Sequence, residues 1–150
     1  MLNHLIFYGL FAASSLYALV RGGTPERLVA LVMIIGVALT PIVANPASRR
    51  FYGIETGLLT LDLLILLAFV VIALRANRFW PMGIVALHSM SVLGHFLKFG
   101  DPHLIRSAYM VMLAFWIYPQ LLVLVLGTWR HQHRKKTIGA DRSWSTFYPR

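Results

Sequence analysis

The sequence predicts an all-α fold, a polytopic membrane bundle of five transmembrane helices, and three observations support this class. Hydrophobic residues make up 58% of the 150 residues and charged residues only 13%, far from the balance of water-soluble proteins. The mean hydropathy is +0.69. Apolar runs long enough to cross a bilayer are separated by short segments rich in glycine, proline and arginine. We therefore expect one membrane domain over residues 1–129.

The first two predicted spans cover residues 2–20 and 26–43. The head of the first contains Asn3-His4 but no Lys or Arg, so we expect a retained helix and not a cleaved secretory signal. Thr24-Pro25-Glu26 begins the second span with a capping hydroxyl, a proline suited to the first turn and an acid favoured by the helix dipole. Asn45-Pro46 ends it.

The last three predicted spans cover residues 54–74, 82–99 and 104–129. The fourth span is short and contains two histidines, so a bundle of four spans is the alternative. Tyr118-Pro119-Gln120 predicts a kink in the last span, because proline frees a backbone carbonyl that Gln120 or a neighbouring helix could satisfy. Residues 130–150 are predicted to form a basic cytoplasmic tail.

The distribution of Lys and Arg predicts the orientation. Ten of the 14 fall in the tail and in the two loops on its side of the membrane, and four fall on the other side. The positive-inside rule then places the N-terminus outside and the tail in the cytoplasm. Membrane lipids explain the net charge of +9, and no recognised motif indicates a nucleic-acid partner. The residues expected to bind lipid headgroups are Arg130, Arg134, Lys135 and Lys136.

Polar side chains follow two neighbouring spans at helical spacing. Glu55 and Asp62 are seven residues apart, and so are His88 and His95, with Ser91 on the same stripe. Residues seven apart share one helix face, so the two stripes can face each other in an antiparallel hairpin. A charged acid in a bilayer costs at least about 2.5 kcal/mol, so Asp62 needs a partner such as histidine.

This candidate cluster has several possible functions. Histidine and carboxylate can ligate a metal, an imidazole suits a proton relay, and a quinone headgroup could occupy such a pocket. The structural alternative is a hydrogen-bonded network that fixes helix register. Two histidines on one stripe of one helix cannot supply both axial ligands, which argues against a mid-membrane bis-histidine haem. A metal at the outer rim is geometrically possible, with His4, Glu55, His95 and His103 as its ligands.

Three segments resemble a group of small bacterial inner-membrane proteins of uncharacterised function. These are residues 21–27 (RGGTPER), 78–81 (RFWP) and 127–131 (GTWRH), with His88 and His95 between them. The resemblance implies the bacterial cytoplasmic membrane and a multi-pass topology, and it implies no particular chemistry.

The function predicted first is therefore a non-enzymatic accessory or assembly subunit that binds other membrane subunits or further copies of itself. Small size, short loops and the lack of a phosphate loop, HExxH or GxSxG motif support it. The chain has no cysteine, which excludes thiolate chemistry. The alternative is a metal- or quinone-linked redox or proton-transfer protein that uses the Glu/Asp/His cluster.

Overall fold

Helices account for nearly all of the residues that the computed structural model describes, which are 2–46, 51–53, 55–100, 105–139, 141 and 143–144. The helices are α1 (Leu2–Arg21), α2 (Thr24–Val43), α3 (Thr56–Arg75), α4 (Trp80–Gly100), α5 (Arg106–Phe115) and α6 (Ile117–Ile138). Extended pairing within these residues is limited to one isolated bridge, between Ala76 and Trp144.

Three of these helices are long and apolar enough to cross a membrane. They are α2, α3 and the continuous rod of α5 and α6 over Arg106–Ile138. The most apolar of them is α3, with a mean hydropathy of 2.8, yet only 17% of its most apolar window is buried inside the protein. An apolar helix that faces outward is typical of a protein surrounded by lipid. The predicted helical membrane bundle is confirmed at this level.

The helices pack side by side in a closed ring. In order around the ring, α1 packs against α2, α2 against α3, α3 against α4, α4 against the α5–α6 rod, and α6 back against α1. Phe7 contacts Tyr118 at one end of the α1–α6 pair, and the Gln132 side chain donates to the Arg21 carbonyl at the other, so these two helices are parallel. Helices α1 to α4 and the α5–α6 rod alternate in direction along the chain, so the bundle has two distinct ends.

Two glycines shape the link between α1 and α2. A side chain at Gly22 would overlap the Ala18 carbonyl and the Glu26 Cβ, so only glycine fits there. The N-cap of α2 is Gly23, and Thr24 is already inside the helix. The prediction of Thr24 as the capping hydroxyl was therefore wrong, because the tight Gly22-Gly23 turn lets the helix begin one residue earlier. Pro25 lies in the first turn, as predicted.

The last predicted span is interrupted and longer than expected. The interruption falls at Trp116, within one turn of Pro119, which agrees with a disturbance of the helix by that proline. The Gln120 side chain donates to the Trp116 carbonyl over 3.0 Å, whereas the carbonyl that Pro119 frees is that of Phe115, so the predicted role of Gln120 is not the one observed. Beyond Trp129 the helix continues to Ile138 and ends at Gly139, which adopts a left-handed φ of 78°. The polar residues there are good helix formers, so the basic stretch extends α6.

Candidate functional site

A buried hydrogen-bonded chain links α3, α4 and α5 near one end of the bundle. His95 is fully buried; its Nε2 lies 3.2 Å from Asp62 Oδ2 and its Nδ1 lies 2.8 Å from the Tyr109 hydroxyl. A neutral imidazole donates through one nitrogen and accepts through the other, so His95 joins the acid to the phenol in a continuous chain. We call the five side chains in this region the Asp62 cluster; they are Asp62, His88, Ser91, His95 and Tyr109.

The other two members of the Asp62 cluster fix the same helices. The Ser91 hydroxyl lies 3.3 Å from Asp62 Oδ2 and 3.3 Å from the Leu113 carbonyl, so its single proton is shared between α3 and α5. His88 Nε2 lies 3.1 Å from the Asp62 backbone carbonyl and 4.0 Å from Asp62 Oδ1. The imidazole of His88 also packs edge-on against the Phe69 ring. These contacts set the relative rotation of α3 and α4.

The structure brings together four of the five residues singled out from the sequence as one cluster. Asp62, His88, Ser91 and His95 meet because their seven- and three-residue spacings keep them on facing helix stripes. Sequence reasoning missed Tyr109. The signal was a phenolic hydroxyl inside an apolar segment, where it requires a hydrogen-bond partner.

Glu55 has a different position from the one predicted. It is buried, and its carboxylate accepts hydrogen bonds from the backbone N–H of Asn45 at 3.0 Å and of Phe51 at 2.6 Å. Both ring nitrogens of His95 are engaged with Asp62 and Tyr109, so His95 is not a partner of the Glu55 carboxylate. Glu55 instead closes the connection between α2 and α3.

Two of the four residues predicted to bind a metal at the outer rim are not described by the structure, in whole or in part. The side chain of His4 and the whole of His103 are not among the described residues, and Glu55 and His95 are hydrogen-bonded as above. Within the described part of the chain, no three His, Asp or Glu side chains are arranged to hold a metal ion. The four-residue metal set stays a prediction.

A second buried polar cluster lies at the opposite end of the bundle. Arg78, in the link between α3 and α4, pairs with Glu26 through Nη1 and lies 2.9 Å from Asp141 Oδ2 through Nη2. Asp141 Oδ2 in turn lies 2.7 Å from His131 Nδ1. We call Glu26, Arg78, His131 and Asp141 the Arg78 cluster. It joins the first turn of α2, the α3–α4 link, α6 and Asp141, which lies three residues beyond the end of α6.

Close packing surrounds the Arg78 cluster. A Cβ placed on Gly23 would lie 3.1 Å from Glu26 Oε2, 3.1 Å from His131 Cε1 and 3.2 Å from Arg78 Nη2. Glycine therefore lets the α1–α2 turn lie directly over the charged groups. In the sequence Arg78 is one of the loop cations that predict the orientation, and Glu26 is an acid favoured by the helix dipole. Neither pattern indicates that residues 52 positions apart would pair.

The predicted lipid-binding side chains lie on the final turns of α6. Arg130, Arg134, Lys135 and Lys136 are exposed there, at the same end as the Arg78 cluster. Arg134 is also within 3.7 Å of Asp141 Oδ1. Because these cations are on a helix, residues four apart such as Arg130 and Arg134 share one face, and Lys135 and Lys136 point in other directions.

Comparison with known proteins finds no matching family model, no curated relative and no similar solved structure. The chain is thus characterised by its own architecture, an all-helical bundle with three helices able to span a membrane.

Proposed function

We propose that this chain is a multi-pass protein of the bacterial cytoplasmic membrane in which the Asp62 cluster transfers a proton. The observation that carries the proposal is the chain of hydrogen bonds from Asp62 through His95 to Tyr109. Histidine can take a proton at one ring nitrogen and release one from the other, so it is suited to the middle of such a chain.

The proposal places five spans across the membrane. Helices α1 and α4 contain 20 and 21 residues, close to the 20 residues of α2 and α3, and each is about 30 Å long at 1.5 Å per residue. With the positive-inside rule, the Arg78 cluster faces the cytoplasm and the N-terminus faces outward. Asp62 then lies roughly 10 Å below the outer end of α3, since it follows Glu55 by seven residues.

The exposure of Asp62, His95 and Tyr109 indicates where a proton enters the path. The Asp62 side chain is 21% exposed, whereas His95 and Tyr109 are fully buried. Asp62 is therefore the group that meets water or a partner. A proton that moves from the Asp62 carboxyl to His95 Nε2 leaves a carboxylate and an imidazolium ion, and the Tyr109 oxygen stabilises that ion by accepting a hydrogen bond from Nδ1. Water is excluded at His95, which favours transfer along the fixed hydrogen bonds.

Proton flux into proteoliposomes tests the proposal. The purified protein is reconstituted with a pH-sensitive dye in the lumen, and a potassium gradient with valinomycin drives proton entry. We expect faster acidification than in empty vesicles, loss of the excess rate in Asp62→Asn, and a slower rate in Tyr109→Phe. Tyr109→Phe keeps the ring and removes only the hydroxyl that His95 contacts.

A pair of serines on α4 supplies the matched control. Ser91→Ala removes a hydrogen bond to Asp62, whereas Ser89 donates only within its own helix, to the Val85 carbonyl. We expect Ser91→Ala to change the rate and Ser89→Ala to leave it unaltered. A wild-type rate equal to that of empty vesicles, or an unaltered rate in a folded Asp62→Asn protein, would overturn the proposal.

The second candidate is a non-enzymatic accessory subunit of a larger membrane complex. The observation that favours it is that hydrogen bonds of the Asp62 cluster connect different helices. Ser91 and His95, both on α4, each bond to a residue of α3 and to a residue of α5. Such a network suits a structural role in fixing helix register. This candidate predicts that Asp62→Asn and His95→Ala fail to accumulate in membranes, and that other chains co-purify in fixed ratio after mild detergent extraction.

A further inference from the structure

A cavity lies beside the Arg78 cluster, apart from the Asp62 cluster. It encloses about 300 Å³, between the α3–α4 link and one face of α6. Gly127, Arg130, His131 and Arg134 line it from α6, because residues three and four apart share a helix face. The size is at the lower limit for small-molecule pockets and suits a compact headgroup.

The charges around this cavity favour an anion. Three guanidinium groups line it, those of Arg78, Arg130 and Arg134, together with the imidazole of His131. The opposing carboxylates are Asp141 at the cavity wall and Glu26, which pairs with Arg78. The arginines outnumber the acids by one before His131 is counted, so the cavity has a positive surplus.

Two buried donors at the cavity lack partners among the described residues. These are Arg78 Nε and the indole Nε1 of Trp80, and both residues line the cavity. The Arg78 side chain is only 4% exposed. Buried donors without an acceptor cost about 1–3 kcal/mol each, so a bound oxyanion that accepts from them would recover that energy. Glu26 Oε2 also lacks a partner in the described chain, but Glu26 does not line the cavity.

We propose that this cavity binds a phosphate group, which is carried either by a membrane lipid headgroup or by a free phosphate. Several arginine forks around one space suit the oxygens of phosphate, which accept bidentate hydrogen bonds. Asp141 already places one carboxylate oxygen within 2.9 Å of Arg78 and 2.7 Å of His131, so these groups bind an oxyanion in the folded chain. Phosphate occupies the remaining donors, with Arg130 and Arg134 from α6.

Paired arginine and lysine variants test the proposal in full-length protein purified in a neutral detergent. Arg130→Ala/Arg134→Ala removes two cavity-lining charges. Lys135→Ala/Lys136→Ala removes the same charge from the same exposed helix end, outside the cavity lining. The probes are inorganic phosphate, and phosphatidic acid against phosphatidylcholine in mixed micelles. Binding is measured by native mass spectrometry and by the shift in thermal unfolding.

We expect the arginine pair to weaken binding about tenfold or more and the lysine pair to change it about threefold or less. Binding of phosphatidic acid alone identifies a lipid as the source, whereas equal binding of inorganic phosphate identifies a free phosphate. Equal losses in the two double variants would mean diffuse surface charge and would overturn the proposal. So would a wild-type protein that binds neither probe. Asp141→Asn, which removes a competing carboxylate, is expected to tighten binding.

Discussion

The two polar clusters accommodate carboxylates inside the bundle in different ways. The Asp62 cluster holds the partly exposed carboxylate of Asp62, on α3, with hydrogen-bonding groups on α4 and α5, and its α4 members follow regular helical spacing. The Arg78 cluster buries full ion pairs, and its members come from segments that are distant in sequence. The α3–α4 hairpin takes part in both. Within its helices the hairpin uses hydrogen bonds and at its link it uses ion pairs; in the five-span arrangement proposed above, this matches the rising cost of a charge toward the membrane centre.

This contrast predicts that loss of a charge partner at the Arg78 cluster has the largest effect. Arg78→Ala leaves the fully buried Glu26 carboxylate without its cation, and we expect a loss of about 3–5 kcal/mol in unfolding free energy. Thermal unfolding in detergent measures it. Glu26→Gln/Arg78→Gln removes both charges together and is expected to recover most of the loss. A double variant no more stable than Arg78→Ala would contradict the role of the ion pair.

His95→Ala should produce the next largest effect. It removes both hydrogen bonds in the middle of the Asp62 cluster, leaves Asp62 and Tyr109 without that partner and opens a cavity, so we expect a loss of about 2–4 kcal/mol. Leu97→Ala, at an exposed position on the same helix, is the control and should change stability by about 0.5 kcal/mol or less. A loss above that of Arg78→Ala would reverse the ranking of the two clusters.

Gly127→Ala sharpens the comparison at the Arg78 end. Its Cβ would lie 2.8 Å from Trp80 Cδ2, so the α4–α6 contact must open, at a cost of about 1–3 kcal/mol. Gly83 is at the same interface, but its Cβ would be at an ordinary 3.8 Å from Val123. Gly83→Ala should be neutral or stabilising by up to about 1 kcal/mol. Equal changes in unfolding temperature for the two variants would show that the Trp80 ring moves away from position 127 at little cost in stability.

Gly9→Ala is expected to have the smallest effect on stability and serves as a reference for the other glycine variants. A Cβ at Gly9 meets no atom within 4 Å in the part of the chain that the structure describes, and Gly9 is inside α1. Alanine reduces the backbone entropy of the unfolded chain, so we expect a gain of about 0.5–1 kcal/mol in thermal unfolding experiments. A loss of stability would indicate that another chain packs closely against α1.

The sequence was informative about the polar residues that recur along α4. A histidine partner for Asp62 could be predicted because helical spacing places His88 and His95 on one stripe. The same spacing did not predict the partners of Glu55, which are backbone groups of the α2–α3 connection. Tyr109 and Asp141 could not, since each reaches its partners only after helices from separate parts of the chain have packed. The continuation of α6 past Trp129 was missed for another reason: the basic residues there signal topology and favour helix at the same time.

The interruption at Trp116 gives the two polar clusters different kinds of support. The ten residues of α5 pack mainly against α4, whereas α6 packs against both α1 and α4. The bond between Tyr109 and His95 therefore depends on how one short helix is held against α4. The position of His131 depends on a long helix with two packed neighbours, so the Arg78 cluster is built on the more firmly held part of the chain.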